Sequence, residues 1–515
     1  MPIQPPDRAA LEAAARHFGL NLSTDTLATL APMVGGMLGS WDVIEELYAA
    51  DAPQAPERRW QRPEGDDNPF NAWYVTCEVE GAGDGPLAGR TVAIKDNTMV
   101  AGVPMMNGSR TVEGFVPTRD ATIVTRLLDA GATITGKAVC EDLCFSGGSH
   151  TARTGPVRNP WDETRTPGGS SCGSGALVAG GVVDMATGGD QAGSIRIPAS
   201  YSGIVGHKPT HGLVPYTGAF PIEQTIDHVG PMARTVADAA LMLSVIAGRD
   251  GHDPRQPHDL TVGDYVDAVA RGGQGLRVGV VAEGFGHPNS EPGVDDTVRA
   301  AIDTLRGAGL TAEEVSIPWH QHGARMWDVI ATEGATTQMV EGNGWGMHWQ
   351  GLYDPECIAH YGAKWREDPD QLSDTVKLVV LAGRYVIDRH HGSHYAMARN
   401  LVPRLRAAYD EQLARYDVLV MPTLPVTATA IPGADAPLEE RLARALEMLA
   451  NTSPFDVTGH PACTVPAGLT DGRPVGLMVV GKRFDDATVL RVAASFEQAV
   501  GGFPMPPSVS AGSNA

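Results

Sequence analysis

Two serines set among glycines, Ser170 in GGSSCGSG and Ser194 in GGDQAGSIRIP, fall within residues 166–198 and could do chemistry together. Glycine lets the backbone take positive φ and approach another group closely, so a glycine-rich loop can turn several N–H groups toward one point. A serine hydroxyl held there could attack a carbonyl carbon while those N–H groups stabilise the developing oxyanion. Serine is a weak nucleophile without help, so a base must come from elsewhere in the chain. Lys95, in VAIKDN directly after an apolar run, is the candidate. Taken alone it would read as one more solvated surface lysine. An ordinary lysine, with a pKa near ~10.4, is almost wholly charged at neutral pH, and lowering such an amine by ~3 units takes roughly 4 kcal/mol of burial or like-charge repulsion. A base role therefore demands that Lys95 be buried.

The elements around these residues must hold them in place. The small apolar residues at 176–186 are too few to cross a membrane and read as a buried helix passing into a buried strand. From residue 86 onward short apolar strands alternate with amphipathic helices. Strands are expected at 91–94, 132–135, 276–281, 418–421 and 477–480, and helices at 121–130 and 295–308. Such alternation implies an α/β fold with a largely parallel or mixed sheet covered on both faces. Residues 319–410 break the pattern, being mostly helical and rich in Trp, Tyr and His, and are expected to wall the substrate site. Residues 7–50 read as helices, the second capped by Asn21 or Ser23, followed by a linker rich in Pro and charge at 51–71. The tail, 506–515, is expected to be disordered.

Composition excludes several classes of function. A net charge of -22 argues against a nucleic-acid surface, which needs clustered Lys and Arg. Six cysteines without paired CxxC spacing read as reduced thiols. The N-terminus lacks the basic and apolar regions of a signal peptide, and no window reads as apolar enough to span a bilayer, so a cytoplasmic protein is expected. His207 and His211 have the i, i+4 spacing of a zinc helix, but Pro209 breaks a helix there and no Glu follows the first His. Surface histidines on a helix account for Asp388, His390, His391 and His394 better than a metal does. No dinucleotide or phosphate-loop fingerprint accompanies the glycines, and no cofactor or metal is expected.

The KDN, GGSSxGS and DxxGSIRIP motifs, in this order and spacing, resemble the amidase signature family over at least residues 92–209. Further stretches, among them DVLVMPTLP and NTSPFDVTGHPACTVPAG, are similar to the bacterial enantioselective amidases associated with nitrile metabolism. The resemblance implies the amidase signature fold, a large twisted mixed β-sheet with helices on both faces, in a catalytic domain over 71–505. It implies that the N-terminal helical segment and linker, 1–70, serve dimerisation in a homodimer. It also implies hydrolysis of aliphatic, aromatic or arylalkyl carboxamides to carboxylate and ammonia by a Ser–cisSer–Lys triad. Ser194 would be the nucleophile and Lys95 the base. Ser170, after a cis peptide bond from Gly169, would relay the proton between them.

In the same way the resemblance places an oxyanion hole at the backbone N–H groups of Gln191, Ala192, Gly193 and Ser194. Asp190 and Arg196 would brace that loop as an ion pair, Ser171 would add a hydrogen bond, and Phe145, Trp327 and Leu449 would form an apolar acyl pocket. The chain departs from the family pattern at Ala192, where relatives favour Gly, and at Cys172, where they have Ser or Gly. If residue 192 needs positive φ, Ala would cost about 1 kcal/mol there; Cys172 reads as a packing residue. Two rivals stand beside this reading. One is a glutamine-hydrolysing subunit of a tRNA-dependent amidotransferase, which would need partner subunits. The other is a catalytically dead amidase-fold binding protein.

Overall fold

A computed structural model describes residues 3–347, 349–507 and 509, which form two units, Met1–Ala55 and Pro56–Ala515. In the larger unit twelve strands make one sheet. In chain order they are β1 (Trp60–Gln61), β2 (Trp73–Val79), β3 (Thr91–Lys95), β4 (Thr133–Ala138), β5 (Met185–Asp190) and β6 (Val205–Lys208). They continue as β7 (His228–Ala233), β8 (Arg277–Val281), β9 (Thr311–Val315), β10 (Val418–Pro422), β11 (Ala462–Thr470) and β12 (Arg473–Gly481). Their spatial order is β1-β2-β4-β3-β5-β7-β6-β11-β12-β10-β8-β9. β3 runs parallel to β4 and β5, and β8 parallel to β9 and β10, while the remaining pairs are antiparallel, so the sheet is mixed.

Side-chain alternation along the strands makes the two faces of the sheet. On β10, Val418 and Val420 join one core while Leu419 and Met421 join the other; on β12, Val475, Leu477 and Val479 face the first and Met478 and Val480 the second. Helices Val236–Ile246, Pro292–Gly307 and Asp486–Val500 bury Leu243, Leu305 and Phe496 in the first core. Helices His320–Gly334, Asp374–His390 and Ser393–Leu413 bury Trp327, Val376 and Leu405 in the second. Each such side chain contributes about 1.5–3 kcal/mol by leaving water, so a charge at Leu419 or Leu477 would undo a whole face.

The expected strands and helices of this unit all form, with ends shifted by a few residues. The linker expected at 51–71 differs: β1 lies inside it, and Arg58 forms a two-pronged ion pair with Asp120, at 2.6 and 2.8 Å. Proline and charge mark irregular backbone, and here that backbone is tied to the body of the unit.

The N-terminal unit is a helical pair. α1 (Arg8–His17) is capped by Asp7, which accepts from the Ala10 N–H, and α2 (Thr24–Asp51) by Ser23, which accepts from Thr26. Ser23, and not Asn21, is therefore the cap. α2 is one continuous helix despite Pro32 in its interior, and Met33, Met37, Ile44 and Leu47 are each more than 60% exposed. It holds an 18-residue window of mean hydropathy 1.3, enough by length and composition to cross a membrane, so the expectation that no window is apolar enough does not hold. Joining the apolar stripe into a single long helix makes the difference. Most of the 506–515 tail lies outside the described residues.

Candidate active site

Lys95 ends β3, where the strand aims its side chain beneath the loop after β5. Its backbone N–H donates to Thr187 Oγ1 on β5, at 2.9 Å, locking the two parallel strands in register at this point. Its Nζ lies 2.8 Å from Ser170 Oγ and 3.2 Å from the Gly189 carbonyl, and both Lys95 and Ser170 are wholly buried. The neighbouring Asp96 turns away and pairs with buried Lys137 at 2.9 Å; burial pushes its carboxyl above the ordinary range against the pull of that lysine.

Ser170 follows Gly169 through a cis peptide bond. A Cβ on Gly169 would lie 2.2 Å from the Gly148 carbonyl oxygen, so no other residue fits there. After α3 (Thr122–Asp129), which precedes β4, the next α-helix is α4 (Cys172–Ala179), which follows Ser170 and has every residue buried. Cys172 opens this helix and donates its thiol to the Val139 carbonyl at 3.4 Å, the packing role expected of it. Ser171 Oγ donates to the Gly189 carbonyl and accepts from the Gly189 N–H, each at 3.3 Å, joining the start of α4 to the end of β5.

Residues 191–195 turn from β5 into α5 (Arg196–Ser202). Asp190 and Arg196 close that turn: Nε and Nη2 of Arg196 each lie 2.9 Å from an oxygen of Asp190, which also accepts the Ile195 N–H at 3.1 Å. Arg196 reaches on to Asp456 at 2.7 Å and to the Thr452 carbonyl at 2.8 Å. Burial alone would raise the Asp190 carboxyl, but the charge and hydrogen bonds of Arg196 hold it down at about 2. Asp456 goes the other way, raised well above the ordinary range by burial and by Asp190.

Gly193 has φ 138°, and a Cβ there would lie 2.5 Å from Thr452 Oγ1 and 2.9 Å from Ile197 Cδ1. Ala192 is not among the positive-φ residues, so the alanine is accommodated and the expected penalty at this position does not arise. Among the described residues, the amide N–H groups of Ala192, Gly193 and Ser194 have no hydrogen-bond partner.

Ser194 lines a narrow crevice together with Phe145, Trp327 and Leu449, the three residues expected there. Phe145 and Trp327 stack with ring centres 6.3 Å apart. Ile222, Ile226, Leu446 and Cys144 also line the crevice. These four were missed because nothing in their local sequence distinguishes them from core. Of the aromatics at 319–410, Trp327 reaches the crevice, whereas Trp345, Trp349, Tyr361 and Tyr409 fill the second core. The expectation that this aromatic segment walls the site therefore holds for one turn of one helix. Cys144 donates to Asn107 Oδ1 at 3.3 Å; burial would raise its thiol, but Cys140, Lys95 and Ser170 bring it to about 7.

The histidine pairs have structural partners. His207 Nε2 lies 3.0 Å from Asp486, His211 contacts the Gln224 carbonyl, and Asp388 pairs with Arg384. Among the described residues no group of three or more His, Cys, Asp or Glu side chains is placed to hold a metal.

A sequence profile of the family described as Amidase matches residues 72–490. An enantioselective amidase from Rhodococcus rhodochrous is 57% identical over 512 residues, 99% of this chain and 98% of its own length. A glutamyl-tRNA(Gln) amidotransferase subunit from Exiguobacterium sibiricum is 37% identical, over 82% of this chain and 86% of its own length. Among solved structures, native peptide amidase from Stenotrophomonas maltophilia is similar with a TM-score of 0.67 and 30% identity, over 82% of this chain and 85% of that one. The chain belongs to the amidase signature family, and it is an amide C–N hydrolase.

Proposed function

We propose that the enzyme cleaves carboxamides through an acyl-enzyme on Ser194, with Lys95 as base and Ser170 as the relay between them. The 2.8 Å approach of Lys95 Nζ to Ser170 Oγ, buried beneath the crevice that Ser194 lines, carries this reading. The Ser194 proton passes to Ser170 as the hydroxyl attacks the amide carbon, and the Ser170 proton passes to Lys95. The carbonyl oxygen, now negative, meets the unpartnered N–H groups of Ala192, Gly193 and Ser194. Collapse of the tetrahedral intermediate breaks the C–N bond, and the relay run backwards protonates the leaving nitrogen as ammonia. Water then enters by the same route and releases the carboxylate. The oxyanion site we assign is the 191–194 loop; Gln191 also fixes the loop sideways, its amide donating to the Tyr216 hydroxyl at 2.9 Å.

The apolar wall of Phe145, Trp327, Leu449, Ile222 and Ile226 suits aromatic, arylalkyl or branched acyl groups and has no cation to receive a charged one. A chiral acyl centre pressed between the Phe145–Trp327 stack and Ile222 would meet two unlike sides. That supports a stereochemical preference like the one the name of the Rhodococcus relative states. A homodimer is part of the proposal. α2 presents Met33, Met37, Trp41 and Ile44 to solvent. A second copy of this helix is the partner that fits. Six free thiols support a cytoplasmic setting, and the charge of -22 supports the absence of a nucleic-acid partner.

The amidotransferase reading is weaker, because those relatives match 82% of the chain and the Rhodococcus amidase matches 99%. A panel of simple amides from acetamide to 2-phenylpropionamide, given to the purified chain alone and read by ammonia release, tests the proposal. Turnover rising with apolar acyl size supports it; hydrolysis of glutamine alone, or of nothing without partner subunits, would sink it.

A further inference from the structure

A trans peptide points its C=O and its N–H to opposite edges of one rigid plane, so a group that holds the carbonyl also aims the amide hydrogen of the next residue. Three successive peptides in the 191–194 loop are held in this way. The Gln191 carbonyl accepts the indole N–H of Trp327 at 2.6 Å. The Ala192 carbonyl accepts the hydroxyl of Thr452. The Gly193 carbonyl accepts the Ile197 N–H at 2.6 Å, the first turn into α5. The amide hydrogens on the opposite edges belong to Ala192, Gly193 and Ser194, whose N–H groups, like that of Gln191, have no partner among the described residues.

We propose that Trp327 and Thr452 are positioning residues for the oxyanion site, each clamping one carbonyl of the loop so that the next N–H faces the crevice. The inference rests on the reading of 191–194 as the oxyanion site, and it concerns residues that do not themselves touch the reacting oxygen. A glycine-containing loop needs such clamps because Gly193, at φ 138°, lacks the steric limits that would otherwise fix its two flanking peptides. Without Thr452 Oγ1 the Ala192–Gly193 plane can rotate, and a carbonyl oxygen turned toward the crevice would repel the oxyanion.

Thr452 is itself fixed. It is fully buried, and its carbonyl accepts Arg196 Nη1 at 2.8 Å, the same guanidinium that closes the loop through Asp190. The start of the loop, its middle and its end are thus tied to one side chain. Trp327 also forms crevice wall and stacks on Phe145, so a substitution there alters acyl binding as well. Thr452 is not a lining residue of the crevice, which makes it the cleaner probe.

The test compares the parent with Thr452→Val, Thr452→Ser and Trp327→Phe, using benzamide as substrate. Phenylboronic acid serves as an analogue of the tetrahedral state and benzoate as a ground-state ligand. Thr452→Val should lower kcat by ~10- to 100-fold, less than the loss expected for deleting a donor outright, with KM within ~3-fold. Phenylboronic acid should lose affinity in the same proportion while benzoate does not, since the clamp matters only where charge develops. Thr452→Ser, which keeps the hydroxyl, should recover most of the loss. Trp327→Phe should show the same boronate effect together with a change in KM, and it carries the test should valine at 452 fail to fold. Unchanged kcat in folded Thr452→Val, or a lowered kcat with unchanged boronate affinity, overturns the clamp. If phenylboronic acid binds the parent no better than benzoate does, the oxyanion reading itself fails; a strong preference in the parent that survives both substitutions sinks the clamp alone.

Discussion

In the corner that holds Lys95, Ser170, Ser171 and Asp190, side chains are wholly buried and their polar atoms are met by backbone groups, hydroxyls or one arginine. In the wall of the crevice, a few ångströms along the same loop, Phe145, Ile222, Trp327 and Leu449 come from four separate parts of the chain and meet the substrate with carbon. The carboxylates show the same division. Asp190, beside Arg196, is held down at about 2, whereas Asp227, whose two oxygens both accept the Ile222 N–H behind the wall, is pushed up to about 8, first by burial and with Glu223 adding to it. Asp190 keeps its charge and pairs it with Arg196; Asp227, behind the wall, keeps a proton. A site that must move protons needs the first arrangement, and one that must take up an apolar acyl group is served by the second.

The sharpest way to break the corner is Asp190→Asn, which leaves Arg196 buried with one carboxylate fewer. Removal of one partner from a buried pair destabilises by roughly 3–5 kcal/mol, and chemical denaturation of the variant should show a loss of that size. The pair also sets a pH dependence. Because the folded carboxyl titrates below its unfolded value, its contribution is complete above ~4 and disappears as pH falls toward about 2. Acid unfolding in the parent should steepen in that window, and the asparagine variant should lose the step.

The wall should respond in selectivity and keep its stability far better. Phe145→Ala removes one half of the Phe145–Trp327 stack, so kcat/KM for benzamide should fall ~10- to 100-fold relative to acetamide. Equal losses on both amides would mean that Phe145 does not touch the acyl group.

A smaller effect separates the two carboxylates by sign. The folded state keeps a proton on Asp227 that the unfolded chain has lost, so this residue lowers stability as pH rises from ~4 and the trend levels off near 8. Asp227→Asn should flatten that slope by ~1–2 kcal/mol between denaturation curves at pH 5 and pH 6. A slope that persists unchanged would show that Asp227 is ionised in the folded protein.

The corner was legible in the sequence and the wall much less so, for a physical reason. Ser170, Ser171, Asp190, Ser194 and Arg196 lie in one contiguous stretch because one helix, one strand and one turn build that corner, and glycines mark where backbones touch. Lys95 could be found because it ends an apolar strand. Thr452 could not, since its partners Ala192 and Arg196 stand about 260 residues away in the chain and the NTSPFD stretch marked only the family resemblance. Ile222 and Ile226 likewise carry no local mark that separates crevice wall from core. The same limit explains the linker: Pro and charge at 51–71 announced irregular backbone, but only its distant partner Asp120 shows that Arg58 is fixed.

The central claim, that Ser194 carries the acyl group and Lys95 serves it through Ser170, is tested most directly by acid-quenching benzamide turnover and locating the added mass by peptide mapping. A benzoyl group is expected on Ser194, absent from Ser194→Ala and at least ~1,000-fold slower to form in Lys95→Ala. A benzoyl group on Cys144 or Ser146, the other nucleophiles lining the crevice, or ammonia release that persists in Ser194→Ala, would contradict it.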